Sequence, residues 1–269
     1  MARVAAHQDA AEAERRHYVY VQHAKVTSRK GKTMMCEEIT DSRVAPTPDG
    51  SHQELLKLEG RMLVKHKYVQ YNSLAAARRD TKVENDSDSV SVTVGDDGLD
   101  RDLVESMRAS LLNDKSKDGI SAHLFPLTSK AQADYSFRLT GRERLNDRDV
   151  FHVVFRPKQK DEYGWKGDAF IDMVDDEPVM VTTDMARKIP FAVRTLLGTN
   201  LPGLGFTVMY APQTDGIWFP VSFGTEFKVH VLFFFHREIM MSVQNREFQK
   251  THVTSRIVDA GTPVDPDKP

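Results

Sequence analysis

The sequence has little cysteine and no long apolar run. Its single thiol, Cys36, excludes an intramolecular disulfide, and no histidine or second cysteine flanks it to complete a thiolate metal site. No stretch of about 18 uncharged apolar residues is present, so no membrane-spanning helix is predicted. Residues 1–16 lack the apolar core of a signal peptide, which leaves a cytoplasmic protein or one whose targeting segment has been removed.

An excess of basic charge is also absent. The chain has 37 Lys and Arg against 39 Asp and Glu, a net charge of -2, which argues against a nucleic-acid partner. Hydrophobic residues make up 40% of the 269 residues, enough for one large domain or two small ones. This composition excludes a wholly disordered chain, a collagen and a coiled coil.

Familiar catalytic signatures are missing as well. There is no Gly-x-Ser-x-Gly elbow and no His-Glu-x-x-His, and the tripeptide 31–33 lacks the earlier glycine of a phosphate-binding loop. The carboxylates of Asp172, Asp175, Asp176 and Glu177 are compatible with acid–base chemistry or with a turn. We expect no enzyme activity, no cofactor and no metal site.

Alternating apolar residues dominate what is present. A helix is predicted over 3–16 and another over 99–112, and most other segments have the period of two that is typical of strands. The clearest is 217–235, a long strand with one apolar face and a bend near Gly224. Short turns are predicted near His66 and at Asn146, a loop over 45–50, a hairpin around Asp175 and a last strand over 239–257.

Connections this short require an antiparallel sheet, and long strands with one apolar face predict a curved, half-closed barrel. We expect an N-terminal helix over 1–17, a single domain over 18–258 and a disordered tail over 259–269. The segment 189–210 is unusual because it is apolar yet contains the prolines and glycines of a loop, with Arg194 as its one charge. Such a loop packs on the core, lines a ligand cavity or contacts a membrane.

A family resemblance rests on the order of the predicted elements and on five segments. The order is an N-terminal helix, long antiparallel strands, an internal helix, more strands and two long final strands that include Trp218, Phe219 and Pro220. The five segments are 113–119, 124–128, 194–199, 201–206 and 218–227. In its element order the sequence resembles the LolA/LolB superfamily of periplasmic lipoprotein carriers and receptors, and in the five segments it resembles a soil-bacterial group labelled outer-membrane lipoprotein-sorting-like. The likeness spans about 12–258.

This resemblance implies an α+β fold, mainly antiparallel, in which helices cover the concave face of an unclosed half-barrel. It also implies a periplasmic location and a lipid or lipoprotein acyl chain as ligand. We expect a monomer that contacts membrane surfaces through 189–206 and 233–235. The predicted ligand-binding residues share apolar character, apart from one arginine, and are Ile189, Phe191, Arg194, Leu196, Leu197, Leu201, Leu204, Phe206, Phe219, Val221 and Phe223.

Three functions remain open on this evidence. The first is a non-enzymatic carrier or sensor that binds an acyl chain by buried area rather than by a motif. The second is a periplasmic regulatory module that binds a peptide or protein partner in the same groove. The third, an enzyme, requires polar groups that converge inside the cavity, whereas the inward positions are mostly apolar.

Overall fold

Long antiparallel strands account for most of the chain. A computed structural model describes residues 1–47, 50–72, 99–111, 125–159, 165–185, 199–200, 205–231 and 235–251. The helices are α1 (Ala2–Arg15), α2 (Leu99–Leu111) and α3 (Ser129–Gln132). The strands are β1 (Tyr18–Lys30), β2 (Thr33–Thr47), β3 (Gly50–Val64), β4 (Lys67–Tyr71), β5 (Tyr135–Leu145), β6 (Arg148–Pro157), β7 (Trp165–Asp172), β8 (Pro178–Met185), β9 (Thr199–Asn200), β10 (Gly205–Pro212), β11 (Trp218–Val231) and β12 (Phe235–Lys250).

All these strands belong to one sheet of twelve strands in the order β4-β3-β2-β1-β12-β11-β10-β8-β7-β6-β5, with β9 paired to β11. Every pairing is antiparallel, and the first and last long strands meet in the middle of the sheet. Within the described residues β4 and β5 form open edges, so the sheet does not close. The predicted α+β fold, an unclosed antiparallel half-barrel with helices, is confirmed.

Short turns with left-handed residues connect neighbouring strands. Lys65 and His66 have φ of 45° and 67°, and Asn146 and Asp147 have φ of 49° and 62°. Two successive positive φ values are typical of the type I′ turn, whose twist suits a two-residue hairpin. The turns predicted near His66 and at Asn146 are therefore confirmed, as is the hairpin of β7 and β8.

Three predicted boundaries were wrong. Residues 45–47 are not loop, because β2 continues to Thr47 and pairs Ala45 with His52 on β3. The strand predicted over 217–235 ends earlier, at Val231, and Phe235 already belongs to β12. β11 has a bulge at Val221, where its pairing with β10 skips a residue, and the bend predicted near Gly224 stays a prediction. The last strand begins earlier than predicted and ends at Lys250, because β12 starts its pairing with β11 at Phe235.

One apolar core fills the space between the inner face of the sheet and the helices. It includes Val104 of α2, which is fully buried, and Val4 of α1, which is 3% exposed. α2 packs on β1 and β2. Of the helices in the described ranges, none has the length and apolar character needed to cross a bilayer.

Candidate functional site

A single row of residues crosses the inner face of the sheet from one edge to the other. Directly paired residues share one face of an antiparallel sheet, so the register defines this row, which we call the central row. Its members, from β5 to β4, are Phe137, Phe155, Gly167, Thr183, Phe206, Thr225, Met241, Val26, Glu38, Gly60 and Tyr71. Its two halves differ in chemistry.

Aromatic side chains lie in and beside the β5–β11 half of the central row. Phe206 stacks on Phe223 with ring centroids 5.3 Å apart, and Trp165 meets Phe206 edge-on at 5.1 Å. Nearer the β5 edge, Tyr135 and Phe137 contact Phe155 at 6.1 Å and 6.5 Å. We call these six residues the aromatic patch; they are Tyr135, Phe137, Phe155, Trp165, Phe206 and Phe223.

Exposure within the aromatic patch is graded. Phe155 is fully buried and Phe223 is 4% exposed, so both belong to the core. Tyr135, Phe137, Trp165 and Phe206 are only partly buried against that core. The patch therefore presents a partly accessible apolar surface on the inner face, and such surfaces are typical of sites that bind apolar ligands.

A glycine makes this close packing possible. Gly167 lies in the central row between Phe155 and Thr183, and a Cβ at this position would overlap the Thr182 carbonyl oxygen. It would also lie 3.0 Å from the ring of Phe155. The absence of a side chain at Gly167 therefore leaves room for the Phe155 ring and for the backbone of Thr182.

The β1–β4 half of the central row is polar where α2 covers it. Glu38 is 1% exposed and forms an ion pair with the buried guanidinium of Arg108 on α2. The hydroxyl of Tyr71 donates to Glu38 Oε2 at 3.1 Å and lies 3.4 Å from the thiol of Cys36. Arg101 of α2 stacks over the Tyr71 ring at 4.5 Å.

Burial controls the protonation of this polar half. It raises the pKa of Glu38, and the Arg108 charge and the Tyr71 hydrogen bond oppose that rise. Burial also raises the pKa of Cys36 to about 11. Because a nucleophilic cysteine needs a lowered pKa, this thiol fits the predicted role of an ordinary strand residue.

A second set of contacts holds α2 on the sheet. Asp100 accepts two hydrogen bonds from Arg237 of β12, at 2.5 Å and 2.8 Å, and a third from Ser28 of β1 at 2.5 Å. Bidentate arginine–carboxylate pairs are among the stronger polar contacts in proteins. The helix is thus fixed to the sheet at Asp100 and again at Arg108.

α1 is attached to the sheet near the β7–β8 turn and the start of β11, away from the contacts of α2. Gln8 donates to Glu177 at 2.5 Å, and Arg15 donates to the Trp218 carbonyl oxygen at 2.7 Å. Phe219 is 1% exposed and packs with its ring 4.8 Å from that of Tyr18, beneath Arg15. This separate aromatic group lies where α1 meets β1 and β11.

The structure brings together only part of the predicted ligand set. Phe206 and Phe223 stack in the aromatic patch, whereas Phe219 lies in the separate group under α1 and Val221 is partly buried at the bulge. The other predicted positions, and the side chains of 233–235, lie outside the described residues, as does the predicted tail 259–269. Their roles stay predictions. The positions concerned are Ile189, Phe191, Arg194, Leu196, Leu197, Leu201 and Leu204.

Sequence reasoning missed the β5–β7 members of the patch. The alternation of Tyr135, Phe137 and Leu139 was visible in the sequence and indicated a strand with one apolar face. Nothing local shows that this face lies in register with Phe206, some seventy residues away. The pairing of β8 with β10 makes that connection.

The acidic residues at the β7–β8 turn have structural partners. Asp172 accepts hydrogen bonds from the backbone of Val174 and Asp175, at 2.8 Å and 2.9 Å, and from Arg148 at 2.8 Å. Burial opposes ionisation of Asp172, but these hydrogen bonds outweigh it and lower its pKa. These contacts support the turn interpretation rather than acid–base chemistry.

A histidine on β6 is held by two carboxylates. His152 lies 2.7 Å from Asp168 and 2.7 Å from Glu143, and its ring stacks on Phe170. The Asp168 hydrogen bond raises the pKa of His152, burial opposes this, and Glu143 adds to it. Among the described residues no group of three or more His, Cys, Asp or Glu side chains is arranged to hold a metal ion.

An open cavity of about 660 Å³ lies near the opposite edge, around β2, β3 and β4. Glu37 in its wall is 6% exposed and pairs with Lys25 at 2.7 Å and Arg61 at 2.8 Å. Since its lining is largely charged or polar, this cavity offers less apolar surface than the aromatic patch. The residues that line it are Glu37, Ile39, Glu59, Gly60, Arg61, Gln70, Tyr71 and Asn72.

Comparison with known proteins finds likeness in structure and not in sequence. No protein-family model matches the chain, and no curated protein matches it. The fold is similar to an outer membrane lipoprotein-sorting protein domain from Vibrio parahaemolyticus, with 11% identity and a TM-score of 0.37, covering 91% of this chain and 90% of that one.

Two further solved structures are similar to the chain. A LolA superfamily protein from Nitrosomonas europaea has 10% identity and a TM-score of 0.36 and covers 91% of each chain. A DUF1329 family protein from Desulfovibrio piger has 9% identity and a TM-score of 0.38, covering 97% of this chain and 92% of that one. These neighbours agree in name with the LolA-like resemblance, but identities of 9–11% and TM-scores below 0.5 assign neither a superfamily nor a role to this chain.

Proposed function

We propose that this protein binds the acyl chain of a lipid or lipoprotein, without catalysis, on the inner face of its half-barrel. The observation that carries the proposal is the aromatic patch, two groups of contacting rings that share one core cluster and whose outer members are only partly buried. As the LolA-like resemblance implies, the proposal includes a periplasmic setting and a role as carrier or envelope sensor.

The energetics favour an apolar chain as ligand. Burial of one methylene group contributes about 0.8 kcal/mol, so about ten buried methylenes contribute roughly 8 kcal/mol before the costs of association. Such binding requires area and aromatic surface rather than a fixed polar constellation. The patch offers Trp165 and Phe206 side by side for this contact.

The predicted apolar segment extends this proposal. It follows β8 in the chain, includes β9, which pairs with β11, and continues into β10, whose Phe206 belongs to the patch. We propose that its apolar residues, together with Arg194, complete the site as a lid or mouth. These residues are Ile189, Phe191, Leu196, Leu197, Leu201 and Leu204.

The two tryptophans provide a matched test. Trp165 belongs to the patch, whereas Trp218 is 3% exposed and packs in a separate cluster with Val150 and Val179. We would compare two variants, Trp218→Phe and Trp165→Phe, by titration with stearate and with dibrominated stearate. Bromine quenches only tryptophan fluorescence that it closely approaches.

The expected result is saturable quenching of Trp165 by the brominated acid, stronger than by stearate, with Trp218 little affected. Equal quenching of both tryptophans would indicate nonspecific uptake and contradict the assigned site. No binding of either fatty acid would reject the proposal and favour the second candidate, a module that binds a peptide or protein partner.

A further inference from the structure

The edge strand β5 continues the aromatic patch toward the rim of the sheet. Leu139 pairs with Val153, which is 6% exposed and part of the core, so both side chains lie on the inner face. Leu139 itself is 59% exposed. The inner face of β5 therefore presents Tyr135, Phe137 and Leu139 in succession, with exposure greatest at Leu139.

A bulge then changes which side chains follow on this face. The pairing with β6 passes from Leu139–Val153 to Gly141–His152 and leaves Thr140 as an extra residue. Without this bulge, Gly141 and Glu143 would follow Leu139 on the inner face. With it, the next inner positions are Arg142 and Arg144.

Arg142 is placed for an anion. It pairs with Phe151, which packs against the core, and its guanidinium lies 5.7 Å from the centre of that ring. Glu143 faces the other side of the sheet, where it binds His152 at 2.7 Å. Among the described residues no carboxylate lies within ion-pair distance of Arg142, whereas Arg144 has Asp147 at 3.8 Å.

We infer that the ligand is an amphiphile with an anionic head group, and that Arg142 binds this head group at the β5 rim. The inference rests on the proposed function, because the apolar chain would lie along Leu139 and Phe137 toward the aromatic patch. A guanidinium pairs well with a carboxylate or phosphate oxygen, and the ring of Phe151 holds it in place.

The test compares two amphiphiles that share one acyl chain. Laurate has an anionic head and monolaurin a neutral one, and the Trp218→Phe protein reports binding of both through Trp165. Arg138 offers a matched control, because it is exposed on the same strand but pairs with Val154 on the opposite face. The variants are therefore Arg142→Gln and Arg138→Gln.

We expect laurate to bind about three- to tenfold more tightly than monolaurin at low salt, the size of a partly screened charge contact. Arg142→Gln should abolish this preference and change monolaurin binding by less than about twofold. Arg138→Gln should leave the preference intact, and acetate, which has the carboxylate without the chain, should not compete.

Three results would overturn the inference while leaving acyl-chain binding in place. These are equal affinities for laurate and monolaurin, a preference that survives Arg142→Gln, or an equal loss of preference in Arg138→Gln. If acetate competed with laurate at concentrations similar to those of laurate, Arg142 would be a site for a free anion and not for the head group of an amphiphile. Failure of both amphiphiles to bind would reject the proposed function itself, and this inference with it.

Discussion

The buried ion pair between α2 and the sheet gives a quantitative prediction. Replacement Arg108→Met would leave the carboxylate of Glu38, which is 1% exposed, without its counter-charge. Removal of one partner of a buried pair typically costs about 3–5 kcal/mol. Because the whole fold is expected to be stable by about 5–15 kcal/mol, this single change should remove a large part of the free energy of unfolding.

The penalty should depend on pH. Burial already raises the pKa of Glu38, and loss of the Arg108 charge raises it further. When the pKa of a carboxyl group is higher in the folded protein than in the unfolded chain, the folded state binds the proton more tightly. The free energy of unfolding therefore falls as the pH rises from the unfolded pKa through the folded pKa. Arg108→Met should therefore cost more at about pH 8 than at about pH 5.

A second substitution isolates the charge. Glu38→Gln in the Arg108→Met background removes the unpaired carboxylate and keeps an acceptor for the Tyr71 hydroxyl, so it should recover about 2 kcal/mol or more. The exposed pair of Arg43 and Glu54 is the control, and Arg43→Met should cost less than about 1 kcal/mol.

Urea unfolding followed by circular dichroism measures each free energy. A cost below about 1 kcal/mol for Arg108→Met at pH 8 would refute the reasoning. So would a double variant whose loss equals the sum of the two single losses, since that result denies any coupling between the two side chains.

Two further predictions concern the β5–β8 part of the sheet. Gly167→Ala should lower the free energy of unfolding by about 1–3 kcal/mol, since the new Cβ would overlap the Thr182 carbonyl oxygen. Gly141→Ala is the control, because a Cβ there meets nothing within 4 Å, and it should change the free energy of unfolding by less than about 0.5 kcal/mol. Equal effects of the two substitutions in urea unfolding would contradict this. The Asp168 contact raises the pKa of His152, so its stabilisation is complete below the unfolded pKa of about 6.5 and is lost as pH rises through the folded pKa. His152→Gln should therefore cost more stability at about pH 5.5 than at about pH 9, and a penalty that grows with pH would count against the assignment.

Sequence reasoning predicted the local elements well, because they depend on short-range patterns. The period of two predicted the strands, and Asn146 with Asp147 predicted a turn that the backbone realises with two positive φ values. The proline at position 46 was misinterpreted as a loop signal, since the pairing of β2 with β3 extends past it. The order of the sheet, with β1 beside β12, depends on long-range contacts that no local pattern encodes.

The candidate site was predicted only in part, for a physical reason. Phe206 and Phe223 were both predicted to bind the ligand, Phe206 from the lid or mouth and Phe223 from the concave sheet, whereas the structure stacks their rings on neighbouring strands. The polar half of the central row was not predicted, because a glutamate in a strand is normally expected to be exposed. Glu38 is buried only because Arg108 of α2 packs over it and forms an ion pair with it. The side of the sheet that Arg142 occupies depends on one extra residue at Thr140, which the periodicity does not show.

The bulged β5 strand also bears on the solubility of the protein. An open sheet edge displays unpaired backbone groups that invite another chain to add a strand, and proteins resist this with bulges and charged side chains. β5 has both, with Thr140 breaking its pairing and arginines at 138, 142 and 144, while the other edge, β4, has only five residues. Replacement of all three arginines by neutral residues would therefore favour self-association and aggregation through this edge.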